Sequence, residues 1–327
     1  MASQTFSTRS RLSLLLLLAA WLQGCAVLPQ PPNTARASEL ASVPFFPQAD
    51  YQCGPAALAT VLVHTGIDTD AETLVPQVYL PGREGSLQPE LRAAARRAGR
   101  IPWPLEGGIE ALFSELNAGN PVLVLQNLGV SALPVWHYAV VIGYQPETRR
   151  VILRSGREKR REEPWGRFLA SWNRAGLWGL VVLPPDQLPA SYTGPDALAR
   201  ALASQESSLP VTLATEAWDS ALERWPKAGA PLFGSANTLY ASGRHREAAA
   251  RYRTLLQEHP DHLSARNNFA DLLLREDCPV AASSVIEPAL AAQASAPLLS
   301  LIRQTAAEIK QAGTRDAPHC GSLAGTF

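Results

Sequence analysis

The sequence predicts two folded units in series, an α+β domain followed by an all-α domain. Three observations carry that prediction. Helix-type patterning precedes strand-type patterning in the first half, strand signals stop near residue 190, and a 34-residue period runs through the remainder of the chain. A chain of 327 residues is long enough for two cores. With 46% hydrophobic and 18% charged residues, the composition is that of a folding chain rather than a disordered one. Its 29 basic residues are balanced by 29 acidic ones, so the basic excess of a nucleic-acid binder is missing and no nucleic-acid partner is expected.

Residues 1–25 read as an export signal outside the fold. Arg9 and Arg11 give a positive start, Leu12 to Ala20 is almost wholly apolar, and the stretch closes on Leu22-Gln23-Gly24-Cys25. The apolar run is too short to span a bilayer. Those last four residues resemble the bacterial lipobox. The resemblance implies cleavage before Cys25, acylation of Cys25 and, with Ala26 rather than Asp next, an outer-membrane lipoprotein facing the periplasm. The membrane is then a partner through the N-terminal lipid, each buried CH₂ contributing about 0.8 kcal/mol. Residues 26–41, with Pro29, Pro31 and Pro32, read as a linker.

The first domain is placed at residues 42–189. Helices are expected over Gly54 to Thr65, Pro89 to Ala98 and Gly108 to Leu116, the last stopped by Gly119-Asn120. Strands are expected at Val122 to Gln126, Tyr138 to Tyr144, Val151 to Leu153 and Trp178 to Leu183. Gln145-Pro146-Glu147-Thr148 turns one hairpin among them. The run Arg154, Arg157, Lys159, Arg160, Arg161 reads as a solvated hairpin, and Trp103, Trp136, Trp165, Trp172 and Trp178 as packing residues.

The second domain, residues 190–327, carries the period. Ala214, Ala248 and Ala282 recur at intervals of 34, as do Leu222, Leu256 and Leu290, and the bulky series Trp218, Tyr252 and Ile286. Pro226 and Pro260 share the interval, and so do Ala236 and Ala270, with Leu202 at the preceding place. This is the period of tetratricopeptide repeats, best expressed from Leu232 to Pro260. There Ala236 and Ala248 permit close helix approach, Gly243 makes the turn, and Pro260 ends the unit. Stacked helices of this kind offer a concave surface for a protein partner.

The chemistry-bearing segment runs from Val43 to Leu58 and contains Gln48 and Cys53-Gly54-Pro55-Ala56. Cys53 falls at a helix start, where Pro is tolerated and the positive end of the helix dipole favours a thiolate. Gln48, five residues earlier, can turn its amide towards a developing oxyanion. A thiol also needs a proton acceptor. Of six histidines, His64 is on the same helix about 16 Å along its axis, which rules it out. His245, His259, His262 and His319 belong to the repeats, and His137 opens a strand. Taken singly, Cys53 also reads as a structural cysteine and His137 as a strand-edge histidine; their combination with Gln48 is the signal.

Gln48…Cys53-Gly54-Pro55-Ala56 followed by His137-Tyr138-Ala139-Val140-Val141-Ile142-Gly143 resembles the double-glycine-leader (bacteriocin-processing) type of cysteine peptidase, and more closely its free-standing relatives. The resemblance spans Ser42 to Pro185. It implies a papain-like fold, a helical lobe with the cysteine packed on an antiparallel sheet with the histidine. It makes Gln48 the oxyanion residue, Cys53 the nucleophile and His137 the general base, and a peptide or protein the substrate. Ser155 stands where that family usually places an Asp or Asn to orient the imidazole; Asp50 is a weaker substitute on the cysteine side. A serine there leaves two readings, a peptidase acting through an acyl-enzyme and a peptidase-like binding scaffold. HExxH, CxxC and glycine-rich phosphate motifs are missing, so neither metal nor cofactor is inferred. Cys278 and Cys320, in an exported chain, are expected to pair as a disulfide.

Overall fold

The computed structural model describes residues 29–32, 37–48 and 52–325. The export-signal and lipidation readings, Cys25 included, and Asp50 lie outside the described residues. No helix among the described residues is long and apolar enough to cross a membrane.

The first unit is a seven-stranded antiparallel sheet with helices on both faces. Its strands are β1 (Ser38–Glu39), β2 (Ile101–Pro104), β3 (Val122–Asn127), β4 (Trp136–Gln145), β5 (Arg150–Ser155), β6 (Glu158–Pro164) and β7 (Gly179–Leu183). They lie in the order β2-β7-β3-β4-β5-β6, and β1 adds to β4. Helices α1 (Cys53–His64), α2 (Ala71–Val78) and α3 (Gln88–Arg97) accompany them, with α4 (Gly108–Asn117) and α5 (Trp165–Asn173).

Strand alternation sorts the side chains into two cores. Leu123, Leu125, Val140 and Ile142 face Leu58, Val61 and Leu62 of α1. Val122, Val124, Ala139 and Val141 face Leu112 and Phe113 of α4 and Phe168 and Trp172 of α5. Rings of Phe113, Tyr144 and Trp165 meet edge-on or tilted at 5.1–6.1 Å, each such pair contributing about 0.5–1.5 kcal/mol beyond burial.

Three strands depart from the sequence reading, each for a local reason, and α2 and α5 lie outside the expected helices. β2 carries two prolines and is tolerated because it is an edge strand, paired with β7 alone. β6, rich in Glu, Lys and Arg, has the charged composition of a protected edge. The linker is not free along its whole length. Ser38 and Glu39 pair with Tyr144 and Gly143, Glu39 meets Arg160 at 2.8 Å, and the Pro29 carbonyl accepts from Trp165 Nε1 at 2.9 Å.

Two side-chain readings are also corrected. Arg154 is buried rather than solvated. Its Nε and Nη2 donate to the Val43 carbonyl at 3.0 and 2.8 Å, and Nη1 donates to Lys159 O. The backbone carbonyls of the segment leading to Gln48 supply the acceptors that a buried guanidinium needs. Trp136 is 54% exposed, because it opens β4 beyond the reach of either helical layer.

After β7 the chain is helical: α6 (Pro195–Glu206), α7 (Val211–Arg224), α8 (Gly229–Ala241), α9 (His245–Glu258), α10 (Leu263–Arg275), α11 (Pro279–Leu290), α12 (Ala296–Ala312) and the short α13 (Cys320–Ala324). The periodic positions Ala214, Ala248 and Ala282, and Trp218, Tyr252 and Ile286, are all buried. Leu222 and Leu256 follow suit, whereas Leu290 is exposed towards the end of the stack. Gly243 takes φ +77° between α8 and α9, a left-handed turn that suits glycine. Cys278 and Cys320 are disulfide-bonded with Cα atoms 5.5 Å apart, tying α13 to the start of α11.

Strand content stops at Leu183, but packing does not. One apolar cluster runs from the sheet through Tyr192, Leu198 and Leu202 to Trp218 and Ala221. Tyr192 bonds the Pro104 carbonyl at 2.8 Å, and buried Glu115 accepts from the Ser191 N–H at 2.7 Å.

Candidate active site

Cys53 is the first residue of α1, with Gln52 at the N-cap. Helix formation from that point leaves the first N–H groups without partners inside the helix, and their partial positive charge surrounds the sulfur. Gly54 is required by a close approach: a Cβ there would overlap the Ser86 hydroxymethyl. Pro55 occupies an early position where its missing N–H costs nothing. Cys53 is the free cysteine of the described residues and is partly buried.

The thiol lies against β4, within reach of the Tyr138 backbone N–H. Burial raises its pKa above the ordinary thiol value, and the N–H groups of Tyr138 and Gly54 act in the opposite direction. His137 precedes Tyr138. Its Nε2 and the Ser155 hydroxyl are 2.8 Å apart, and Ser155 itself is buried at the end of β5. Antiparallel pairing explains that meeting: Val140 opposes Arg154 and Val141 opposes Leu153, which brings the end of β5 alongside the start of β4. Burial, and after it the charge of Arg161, lowers the imidazole to about 4. The resting groups are therefore a thiol and a neutral imidazole. Among the described hydrogen bonds none joins sulfur to ring; with Nε2 engaged by Ser155, Nδ1 is the nitrogen left for the thiol.

Gln48 reaches the same place from the segment before α1. Its N–H donates to Gly156 O at 3.1 Å and its Nε2 to Tyr138 O at a long 3.5 Å. The second bond is at the outer limit of useful geometry, so the amide exchanges it readily for a better acceptor.

Gln48, Cys53, His137 and Ser155 thus converge on the first residues of β4 from three other pieces of chain. His64 sits at the far end of α1, and His245, His259, His262 and His319 lie in or beside the repeat helices. Two participants had no sequence signal of their own. Tyr138 offers its N–H to the thiol and its carbonyl to Gln48, while its hydroxyl meets Ser86 O at 3.4 Å. Arg161, in a run read as solvent-facing, bears on His137 electrostatically.

Residues 40–177 match the family model described as Peptidase_C39 like family, and residues 239–304 match a tetratricopeptide repeat model. The sequence matches no curated protein. Among solved structures the chain is similar to a putative C39-like peptidase from Bacillus anthracis, at 19% identity over 45% of this chain and 98% of that one (TM-score 0.39). It is similar also to a double glycine motif protease from an AMS/PCAT transporter in complex with the leader peptide. That likeness is 22% identical over 48% of this chain and 99% of that one (TM-score 0.36). A third is the peptidase domain of Streptococcus ComA, a bi-functional ABC transporter involved in quorum sensing. It is 23% identical over 43% and 98% of the two chains (TM-score 0.35).

Proposed function

With residues 40–177 a Peptidase_C39 like domain and residues 239–304 a tetratricopeptide-repeat segment, we propose that the protein is a cysteine peptidase that cleaves peptide bonds through an acyl-enzyme. The observation that carries the reading is the 2.8 Å contact with Ser155 made by Nε2 of His137, next in the chain to Tyr138, whose N–H reaches the helix-tip thiol.

In this mechanism Nε2 keeps the ring proton and donates a hydrogen bond through it to the Ser155 hydroxyl, which leaves the Nδ1 lone pair for the Cys53 proton. Sulfur attacks the scissile carbonyl as its proton passes to His137. The developing oxyanion takes hydrogen bonds from the Gln48 amide and the α1 first-turn N–H groups, donors of a kind whose loss costs roughly 3 kcal/mol. The C–N bond breaks, the amine leaves with the His137 proton, and a thioester remains on Cys53. Water, deprotonated by His137, hydrolyses the thioester and restores the thiol. Because the resting pair is neutral, proton transfer accompanies attack rather than preceding it.

An electrophilic peptide probe tests this: it should label Cys53 stoichiometrically, and Cys53→Ala and Cys53→Ser should abolish labelling with the fold intact. Labelling elsewhere, or none at all, overturns the assignment.

The neutral pair and the serine in place of a carboxylate favour a second reading, a peptide-binding scaffold without turnover. Tight peptide binding with neither labelling nor cleavage would support it. In either reading the chain is an exported lipoprotein, acylated on Cys25 and facing the periplasm from the outer membrane. The repeats hold a protein partner or substrate; a groove of about 610 Å³ beside Trp218, Phe233 and His262 offers room. Palmitate incorporation lost in Cys25→Ser tests the anchor.

A further inference from the structure

The connection between β3 and β4 is an unusually apolar exposed surface. Leu128, Val130, Leu133, Val135 and Trp136 are each 47–75% exposed, and they make up half of the large hydrophobic side chains exposed among the described residues. Nine consecutive positions therefore hold what is otherwise scattered singly over the molecule, and such concentration marks a contact surface.

The loop is also held in shape. Asn127, itself buried, accepts from the N–H groups of Gly129 and Val135 at 3.0 Å each. Leu128 N–H donates to Val135 O at 2.8 Å and Leu133 N–H to Val130 O at 3.1 Å. A Cβ at Gly129 would overlap the Leu133 carbonyl, so a glycine closes the hairpin. Arg174 Nη2 secures the Asn127 carbonyl from outside at 2.8 Å. Four backbone N–H groups of the loop are thus satisfied within it or by Asn127, while the apolar side chains face solvent. A surface ordered in advance loses little entropy when it is covered.

Its last residue, Trp136, precedes His137 in β4, so the loop ends one residue from the site proposed to react. Resting on the peptidase reading, we propose that this loop is the docking platform for the substrate. It takes the large aliphatic and aromatic side chains on one flank of the bond presented to Cys53 and selects unfolded, apolar stretches of polypeptide.

A lipid surface is the competing occupant, and the chain path disfavours it. Pro29 is bound at Trp165 and Gln30 at Arg149, beside the β4–β5 turn. That turn is at the opposite end of the ten-residue β4 from Trp136, about 30 Å away at 3.3 Å per residue. Cys25 is four residues before Pro29 and can lie at most about 14 Å from it. A lipid on Cys25 therefore holds the turn end near the bilayer and leaves the apolar loop at the distal end, open to soluble polypeptides.

The test uses the full chain. On the Cys53→Ala protein, a fluorescein-labelled peptide rich in leucine and phenylalanine should bind about tenfold more tightly than its serine- and asparagine-rich counterpart. The Val130→Asp/Leu133→Asp pair, at the two most exposed positions, should remove that preference. In the cleaving protein the same pair should raise KM for the apolar peptide about tenfold with little change in kcat. Alkylation of Cys53 by iodoacetamide should proceed at its original rate, which shows an intact site. Undiminished affinity and KM in the double variant overturn the proposal. So does binding of the Cys25→Ser chain to phosphatidylglycerol-containing vesicles that the Val130→Asp/Leu133→Asp pair abolishes while peptide affinity stays untouched, which would assign the loop to lipid. If nothing is cleaved yet the apolar peptide binds through the loop, docking stands and the peptidase reading falls.

Discussion

At His137 two forces act in the same direction. Burial strips water from the ring, the Arg161 charge opposes protonation, and Ser155 supplies a hydrogen-bond partner without negative charge. A carboxylate at that place should shift the balance towards imidazolium and thiolate. Ser155→Asp is therefore expected to raise the His137 pKa and to speed Cys53 alkylation at neutral pH by about tenfold, one pKa unit of coupling being about 1.4 kcal/mol. Iodoacetamide rates against pH measure it; an unchanged profile would mean that the new carboxylate does not reach the ring. The same residue gives a stability prediction. In the unfolded chain a histidine titrates near 6.5, whereas in the fold His137 titrates at about 4. Between those values the unfolded state binds more protons, so the fold loses stability as pH falls from about 6.5 to about 4. That loss is on the order of 3 kcal/mol, and His137→Gln should remove it from urea-unfolding curves taken across the window. His64 and His262, also lowered by burial, keep their own smaller shares.

Among the elements, the segment before α1 depends on β5. Arg154 holds the Ala41 and Val43 carbonyls, and Gln48 hangs five residues further on. Arg154→Lys should keep the charge but lose the fork that serves several carbonyls at once. It is expected to destabilise the fold by about 1–3 kcal/mol and to slow probe labelling of Cys53 as Gln48 loses its seat. Retained labelling with lowered stability would separate Gln48 from the clamp. Arg154 also shows where sequence reading fails. Within a run of five basic residues its burial is set by partners some 110 positions away, which no local pattern reports. Elements whose cause is local were legible: α1 from its Ala and Leu spacing, β4 from its apolar run, the α8–α9 turn from Gly243. The β2 and β6 edges were not, since proline and charge look like loop until a neighbouring strand is known. Of the site, Gln48, Cys53, His137 and Ser155 could be singled out by motif, but Tyr138 contributes backbone atoms, which carry no side-chain signature.

For the molecule as a whole, the apolar cluster that passes from the sheet into α6 and α7 matters more than the position where strands end. Trp103 and Tyr192 lie within it, their rings 5.8 Å apart, and so do the buried apolar residues of α6 and all of those of α7 but Leu222, so the first two helices of the helical half belong to the first core rather than to the second. A chain ending at residue 225 should keep one sharp thermal transition, while one ending at 190 should melt earlier and aggregate, since it bares the faces that Leu198, Leu202 and Trp218 cover. Calorimetry on the two chains decides this; equal melting temperatures would mean that the flank closes over by itself.

The ring of residues from Cys278 to Cys320 has a bearing on wear as well as on architecture. It encloses α11 and α12 in a covalent loop and fastens α13, the last described helix, to the stack. Fraying of α13 is thereby restrained. Reduction of that bond would release α13 from α11, so proteolysis of the last helices should quicken under reducing conditions.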